Sequence, residues 1–265
     1  MDNEKAIFNR ARLLLGDDNM RRIRDARVII FGVGGVGSWC AESLIRSGIS
    51  DLTIVDSDRV CVTNINRQLM ANTTTVGQVK VEALKEYLLK INPDARIDAR
   101  QQIYSAETAD SFDFDNYDYV IDAIDSLKDK MLLIERATAS RARLFSSMGA
   151  ALKLDPTRVK VAEFWKVIGC PLARALRQRF KKQKRYPKKK FLCVYSDELI
   201  NNKGYADTGV GETNMFPTAE TGPGEPLLLN HDWNASKAQI NGSLHHITAM
   251  FGLTLAGLVI KDITC

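Results

Sequence analysis

Two cations and a set of acids stand at spacings that suit work on a polyphosphate. Arg67 lies within Val62-Thr63-Asn64-Ile65-Asn66-Arg67-Gln68, and Lys80 follows just beyond Gly77. Upstream, Asp56 and Asp58 frame Ser57, and downstream stands Asp125. Hydride transfer has no evident need for two cations at such positions. Phosphoryl and nucleotidyl chemistry does, because it consists mostly of positioning and charge neutralisation. Asp125 is the candidate to hold Mg²⁺ or a phosphate-bound water. The cradle for the phosphates would be Gly32-Val33-Gly34-Gly35-Val36-Gly37. Its glycines allow a tight turn and a close backbone approach, with Gly32, Gly34, Gly35 and Gly37 as the ligand-facing set. Asp56 lies nineteen residues beyond Gly37, where an acid takes ribose hydroxyls. The glycine pattern alone fits NAD as well as ATP; the cations turn the reading toward ATP with Mg²⁺. Singly, Arg67 and Lys80 read as surface cations and Asp125 as a helix N-cap.

These groups need a scaffold that gathers them, and the intervening pattern supplies one. Residues 27–31 (RVIIF) form an apolar run that ends at the glycines, as a buried strand does. A helix is expected within VGSWCAESLIRSG, stopping at Gly48 as its C-cap. DLTIVD (51–56) reads as a second strand. Residues 78–91 read as a helix with Val81, Leu84, Leu88 and Ile91 on one face, stopped by Asn92-Pro93. Further strands are expected at 95–101, 117–125 and 143–149, with a helix before the last running to about Ala142. Asp125 would then end the fourth strand, where parallel strands present their carboxyl ends to a ligand crevice. The alternation implies an α/β, Rossmann-like, mostly parallel sheet with helices on both faces. After Pro156, RVKVAEFW (158–165) alternates as an edge strand would, and LCVYS (192–196) reads as another strand.

A length of 265 residues suits one large α/β domain with a smaller C-terminal extension. The expected division is a nucleotide-binding domain over 10–165, a basic segment over 166–200, and a loop plus helix over 201–265 packing back on the domain. Residues 202–226 hold eight Gly and Pro and read as a long mobile loop. Residues 244–263 form the most apolar stretch, but His246 and Lys261 leave only fourteen uncharged, non-His residues between them. A helix buried on the sheet or on a second copy is preferred to a stable membrane span. Peripheral membrane attachment through that helix stays open. The N-terminus lacks a secretory signal pattern. Five widely spaced cysteines form no C-x-x-C, which argues against a disulfide framework or a four-cysteine zinc site and for a reducing cytoplasm. Cys193 reads as a core residue.

The net charge of +5 hides an asymmetry. Residues 174–190 carry ten Lys or Arg and no acid, so the rest of the chain is at −5. Charge runs are usually solvated helix faces. This one lacks local acidic partners and includes Phe180 and Tyr186, rings able to stack on unpaired bases. Arg177, Arg179, Lys181, Lys182, Lys184, Arg185, Lys188, Lys189 and Lys190 are accordingly the candidate RNA contacts.

The ordered motifs GVGGVGS (32–38), the Asp56–Asp58 pair, NINRQ (64–68), VGQVK (76–80) and VIDAIDS (120–126) resemble the adenylating family that includes ubiquitin-activating enzymes and bacterial activators of sulfur-carrier proteins. The resemblance runs from about Arg10 to Gly149. It implies ATP binding by Gly34, Asp56, Asn64, Arg67, Lys80 and Asp125. It also implies a homodimer in which an N-terminal arginine reaches the other subunit's phosphates, Arg12 being the match. DRVCVTNINRQ (58–68) and DPTRVKVAEFWKVIGCPLARALRQR (155–179) are similar to the branch of tRNA threonylcarbamoyladenosine dehydratases. That branch implies tRNA as substrate: ATP activates a threonylcarbamoyl carboxylate beside the anticodon, and ring closure expels AMP. The missing C-x-x-C pairs count against the carrier-activating branch, although a sulfur-transfer or carrier protein stays open as a partner. An NAD-dependent oxidoreductase and a non-catalytic nucleic-acid-binding protein are the remaining alternatives.

Overall fold

The computed structural model describes residues 6–204 and 241–265; from Tyr205 onward the loop expected at 202–226 lies outside them. In chain order the chief elements are α1 (Asn9–Asp25), β1 (Arg27–Phe31), α2 (Gly37–Arg46), β2 (Asp51–Val55), α3 (Lys80–Leu89) and β3 (Arg96–Arg100). There follow β4 (Tyr119–Asp122), α4 (Leu127–Ala139), β5 (Arg143–Ser147), β6 (Val159–Glu163), α5 (Pro171–Gln183), β7 (Leu192–Ser196) and α6 (His245–Thr264). The strands make one sheet in the order β3-β2-β1-β4-β5-β7-β6. Every neighbouring pair is parallel except β7 with β6, which is antiparallel at the edge. The expected strands thus all form, and the alternating stretch before Trp165 is indeed the edge.

The sheet is apolar on both faces because both are covered, which is why β1 and β4 read as continuous hydrophobic runs. One face buries Val28, Ile30, Leu52 and Ile54 beneath α1, α2, α3 and α6. The other buries Ile29, Phe31 and Val120 against Leu133, Ile134, Leu176 and Phe180 of α4 and α5. The C-cap of α2 is Ser47, not Gly48 as expected; Gly48, one residue beyond, has φ of 106°, a value that favours glycine.

Three departures from the sequence reading bear on function. The sequence reading assigns no element before the first strand, yet α1 forms there, broken at Gly16 (φ 77°). Its signal is weak because only Met20 and Ile23 are buried, while Leu13 and Leu14 are 80% and 83% exposed. Second, β4 stops at Asp122, three residues short of Asp125. After Ala123 donates to the Phe31 carbonyl (2.9 Å), the Ile124 amide turns onto the Asp122 carboxylate (3.2 Å), and the chain leaves the sheet. Asp125 therefore sits in the turn, and the N-cap of α4 is Ser126. Third, Phe180 is fully buried and cannot stack on a base.

α6 is long and apolar enough to cross a membrane, with mean hydropathy 1.5 in a window that is 50% buried within the protein. It lies across α2 in backbone contact. A Cβ added to Gly252 would meet the Val36 carbonyl at 2.4 Å and the Cys40 amide at 2.8 Å.

Candidate active site

β2, β1 and β4 are adjacent and parallel, so the segments leaving their carboxyl ends meet along one rim. These segments are Asp56-Ser57-Asp58, the glycine turn, and Ala123–Ser126. The order of connection reverses at β1, and in open α/β sheets ligands bind at such a switch point.

Each glycine has a different task. Gly32 has φ of 85°, and a Cβ on it would lie 2.8 Å from the Ala123 carbonyl. On Gly37 it would lie 1.8 Å from the Gly32 carbonyl, so these two close the turn on itself. Gly35 is wedged between Arg67 and Thr248. Gly34 is the open one, with the Gln68 amide nitrogen at 3.8 Å from its added Cβ. Among the described residues no acceptor takes the amides of Gly34, Gly35 or Val36, which precede α2. Three amides at the positive end of a helix dipole make an anion cradle.

Asp56 fixes the cradle from below. Its carboxylate accepts the Val33 amide (2.8 Å) and the Asp58 amide (3.0 Å). Burial, and then the charge of Asp58, raise the Asp56 pKa above the ordinary carboxylate value, against the pull of Lys80. Lys80, only 5% exposed, donates to the Asp58 carboxylate at 2.7 Å. It is the first residue of α3, and its own amide donates to the Asp58 carbonyl at 3.0 Å.

The NINRQ segment docks on the other side of the turn. The Trp39 indole donates to the Arg67 carbonyl (3.0 Å), and the Ser38 hydroxyl accepts the Leu69 amide (3.2 Å). Asn64 is buried and turns the segment by accepting the Cys61 amide (3.1 Å). The Arg67 guanidinium donates to the Thr63 carbonyl (2.9 Å) and the Asn66 side chain (3.1 Å). Burial lowers its pKa, opposed first by the nearby charge of Asp125, which brings the loop after β4 to the same place. Gln68 is 6% exposed, and its buried side-chain oxygen has no hydrogen-bond partner among the described residues. An orphaned buried acceptor beside an open Gly34 and three free amides fits a polar, phosphate-bearing ligand with hydroxyl or amino donors. A Mg²⁺ ion would fit only as the companion of phosphate: no cluster of three acidic, His or Cys groups forms among the described residues. Asp56 accepts the Val33 and Asp58 amides and Asp58 accepts from Lys80, so Asp125, near enough to act on the charge of Arg67, is the carboxylate that would hold it.

The structure therefore gathers Gly32, Gly34, Gly35, Gly37, Asp56, Asp58, Asn64, Arg67, Gln68, Lys80 and Asp125 along one rim. Arg12 is not among them; it stands 3.0 Å from Asp17 across the kink of α1. A supporting network escaped the sequence reading. Lys130 and Asp122 are both fully buried and 2.8 Å apart, and Asp122 also accepts the Ser146 hydroxyl at 2.6 Å. Lys130 donates to the Ile124 carbonyl (2.9 Å) while Asp122 takes the Ile124 amide, so the pair clamps the peptide just before Asp125. A lysine in a helix of mixed polarity reads as surface; only the fold shows it facing a strand end.

The ThiF family model matches residues 8–264. A tRNA threonylcarbamoyladenosine dehydratase from Haemophilus influenzae is 38% identical over 99% of this chain and 95% of its own length. Its namesake from Bacillus subtilis is 40% identical over 72% of this chain and 74% of its own length. Among solved structures, that of the Escherichia coli tRNA N6-threonylcarbamoyladenosine dehydratase in complex with ATP superposes with a TM-score of 0.80 at 30% identity, covering 99% of this chain and 96% of that one. The same enzyme is also known in complex with AMP.

Proposed function

The chain belongs to the ThiF family, and on that premise we propose that it uses ATP to adenylate the threonylcarbamoyl carboxylate of a modified adenosine in tRNA and closes it into a ring with release of AMP. The observation that carries the reading is the open Gly34 beneath free helix-terminal amides, with Arg67 against Gly35 and Lys80 acting on Asp56, whose carboxylate holds the turn. A hydride-transfer site needs the turn but not the cations.

A carboxylate is a poor electrophile because its leaving group would be an oxide. Attack of its oxygen on the α-phosphorus of ATP forms the acyl–phosphate bond and breaks the bond to pyrophosphate, so negative charge grows on the leaving β-phosphate. Arg67 and Lys80 are the groups placed to neutralise that charge, Lys80 by exchanging Asp58 for phosphate. Asp125 would hold Mg²⁺, which would supply further neutralisation. In the second step a group within the same threonylcarbamoyl unit attacks the activated carbonyl and AMP leaves; the balance is loss of one water. No protein nucleophile is needed. Cys193 cannot serve as one, being fully buried with its thiol pKa pushed up by burial.

Three further parts belong to this reading. The exposed Leu13 and Leu14 beside Arg12 favour a homodimer in which α1 of one copy meets the other's site. The basic run favours contact with the RNA backbone, chiefly through the exposed Lys181, Lys182, Lys184, Lys188, Lys189 and Lys190 and the half-buried Arg179. Arg177 is tied to the Phe164 carbonyl (3.0 Å) and Arg185 to Glu135, so these two contribute less. No disulfide links the five cysteines, which suits a cytoplasmic setting.

Thermal melting tests the nucleotide assignment. Mg-ATP should raise Tm, since a ligand bound only by the native state stabilises it by mass action. NADH should leave Tm unchanged. A larger shift with NADH would reject adenylation.

A further inference from the structure

The basic run does not end where the chemistry is. α5 starts beside Gly149, whose added Cβ would lie 3.9 Å from the Cys170 sulfur, at the carboxyl rim of the sheet. It then runs to the opposite rim. There the Lys188 amide donates to the Thr138 hydroxyl (3.0 Å), and Lys189 donates to the Ser140 carbonyl just before β5. On that amino rim the chain places two exposed aromatic residues against each other. Trp165 (39% exposed) and Tyr186 (49% exposed) have ring centroids 6.2 Å apart, tilted by 43°. The two acids of this region are engaged, Glu163 with the Trp165 amide (3.0 Å) and Glu135 with Arg185.

A cleft of about 590 Å³ opens on the same rim, over an apolar floor that includes Phe191. Arg141, Arg143, Lys189, Lys190 and Lys261 line it. Its one side-chain acid, Asp262, is held by Arg143 and by the Tyr119 hydroxyl (2.7 Å). Phe191 stacks on Phe164 at 5.0 Å, and Phe164 meets Trp165 edge-on at 5.2 Å, so cleft and aromatic pair are joined through one buried ring. Lys189 is three residues from Tyr186, at most about 11 Å along the chain.

We infer that this rim is a second RNA contact, separate from the adenylation site: an unpaired base stacks on Trp165 and Tyr186, and the adjoining phosphates lie in the cleft. The inference rests on the tRNA reading above. Strand spacing and rise put the aromatic pair roughly 25 Å from the glycine turn. At about 3.4 Å per base step this is the span of about seven stacked nucleotides. The site therefore holds a part of the tRNA other than the reacting nucleotide. Stacking platforms flanked by cations bind unpaired bases with little regard to sequence, and the phosphates supply a salt-dependent share of the affinity. The Phe180 expected from sequence as the second ring is replaced by Trp165, which folding brings from a different segment.

The test compares Trp165→Ala/Tyr186→Ala with Trp165→Phe/Tyr186→Phe, and both with Arg141→Glu/Lys261→Glu, in tRNA-dependent turnover. Removing both rings should raise KM for tRNA on the order of tenfold. It should leave kcat and Mg-ATP affinity unchanged, and the phenylalanine pair should restore KM. The charge-reversed variant should raise KM and flatten its dependence on salt. Wild-type KM in the alanine pair, or a loss that phenylalanine fails to rescue, overturns the platform. An unchanged salt slope in the charge-reversed protein overturns the cleft. If the unmodified protein shows no response to tRNA at all, the reading beneath the proposal fails, and that is seen before any variant is made.

Discussion

Lys80 spends its charge on Asp58 at 2.7 Å while almost wholly buried, although its proposed work is on phosphate. The pairing keeps a buried ammonium compensated until a ligand arrives. Lys80→Ala should therefore have two separable effects. Turnover should fall by about 10²–10³, as when a preorganised stabiliser of developing charge is lost. Stability should fall too, by about 1–3 kcal/mol, because Asp58 loses its partner. Adding Asp58→Ala should recover part of the Tm and none of the turnover. Full additivity of the two stability losses would show that the pair is not coupled. The residues of this site were mostly legible from spacing: glycines after a strand, an acid after the next, cations beyond. What spacing hid was partnership. Nothing in the sequence says that Lys80 pairs with Asp58, or that Lys130 is buried with Asp122, because in each pair a helical lysine meets an acid at or just beyond the end of the preceding strand, and only folding brings the two together.

At the scale of elements, the glycine turn and the α6–α2 crossing make opposite demands on added methyl groups. Gly37→Ala should collapse stability, since its Cβ would lie 1.8 Å from backbone oxygen. Gly34→Ala has room in the protein and should keep its Tm, yet lose most of the ATP-induced shift. A Gly34→Ala protein that still gains full stabilisation from Mg-ATP would place the phosphates elsewhere. In α6, Gly252→Ala should cost about 1–3 kcal/mol, as overpacking does, because the helix must lift off the Val36 carbonyl and the Cys40 amide. Gly257 has nothing within 4 Å of its added Cβ, so Gly257→Ala should be neutral or stabilise the helix by up to about 1 kcal/mol. Equal Tm values for the two would mean that α6 is not seated on α2. The strands were legible because buried parallel strands are runs of Val and Ile. The ends were less so: β4 looked longer than it is because Ala123 and Ile124 are apolar, and apolarity does not reveal that Asp122 captures the Ile124 amide. α1 was missed because Leu13 and Leu14 face outward and break the stripe by which an amphipathic helix is recognised.

For the whole molecule, the two rims of one sheet differ in character. The carboxyl rim carries the candidate nucleotide site. The amino rim carries cations and exposed rings that meet no acid left unengaged. Sequence reading located the basic run but not its direction, which depends on where α5 starts and on β7 returning into the sheet. The central claim is that ATP is spent on a carboxylate carried by tRNA, and isotope exchange tests it most directly. Labelled pyrophosphate should enter ATP only when protein, Mg²⁺ and tRNA bearing the linear threonylcarbamoyl group are all present, because reversal of adenylation needs the acyl acceptor. Exchange that proceeds without tRNA, or that answers instead to the C-terminal carboxylate of a small carrier protein, would contradict it.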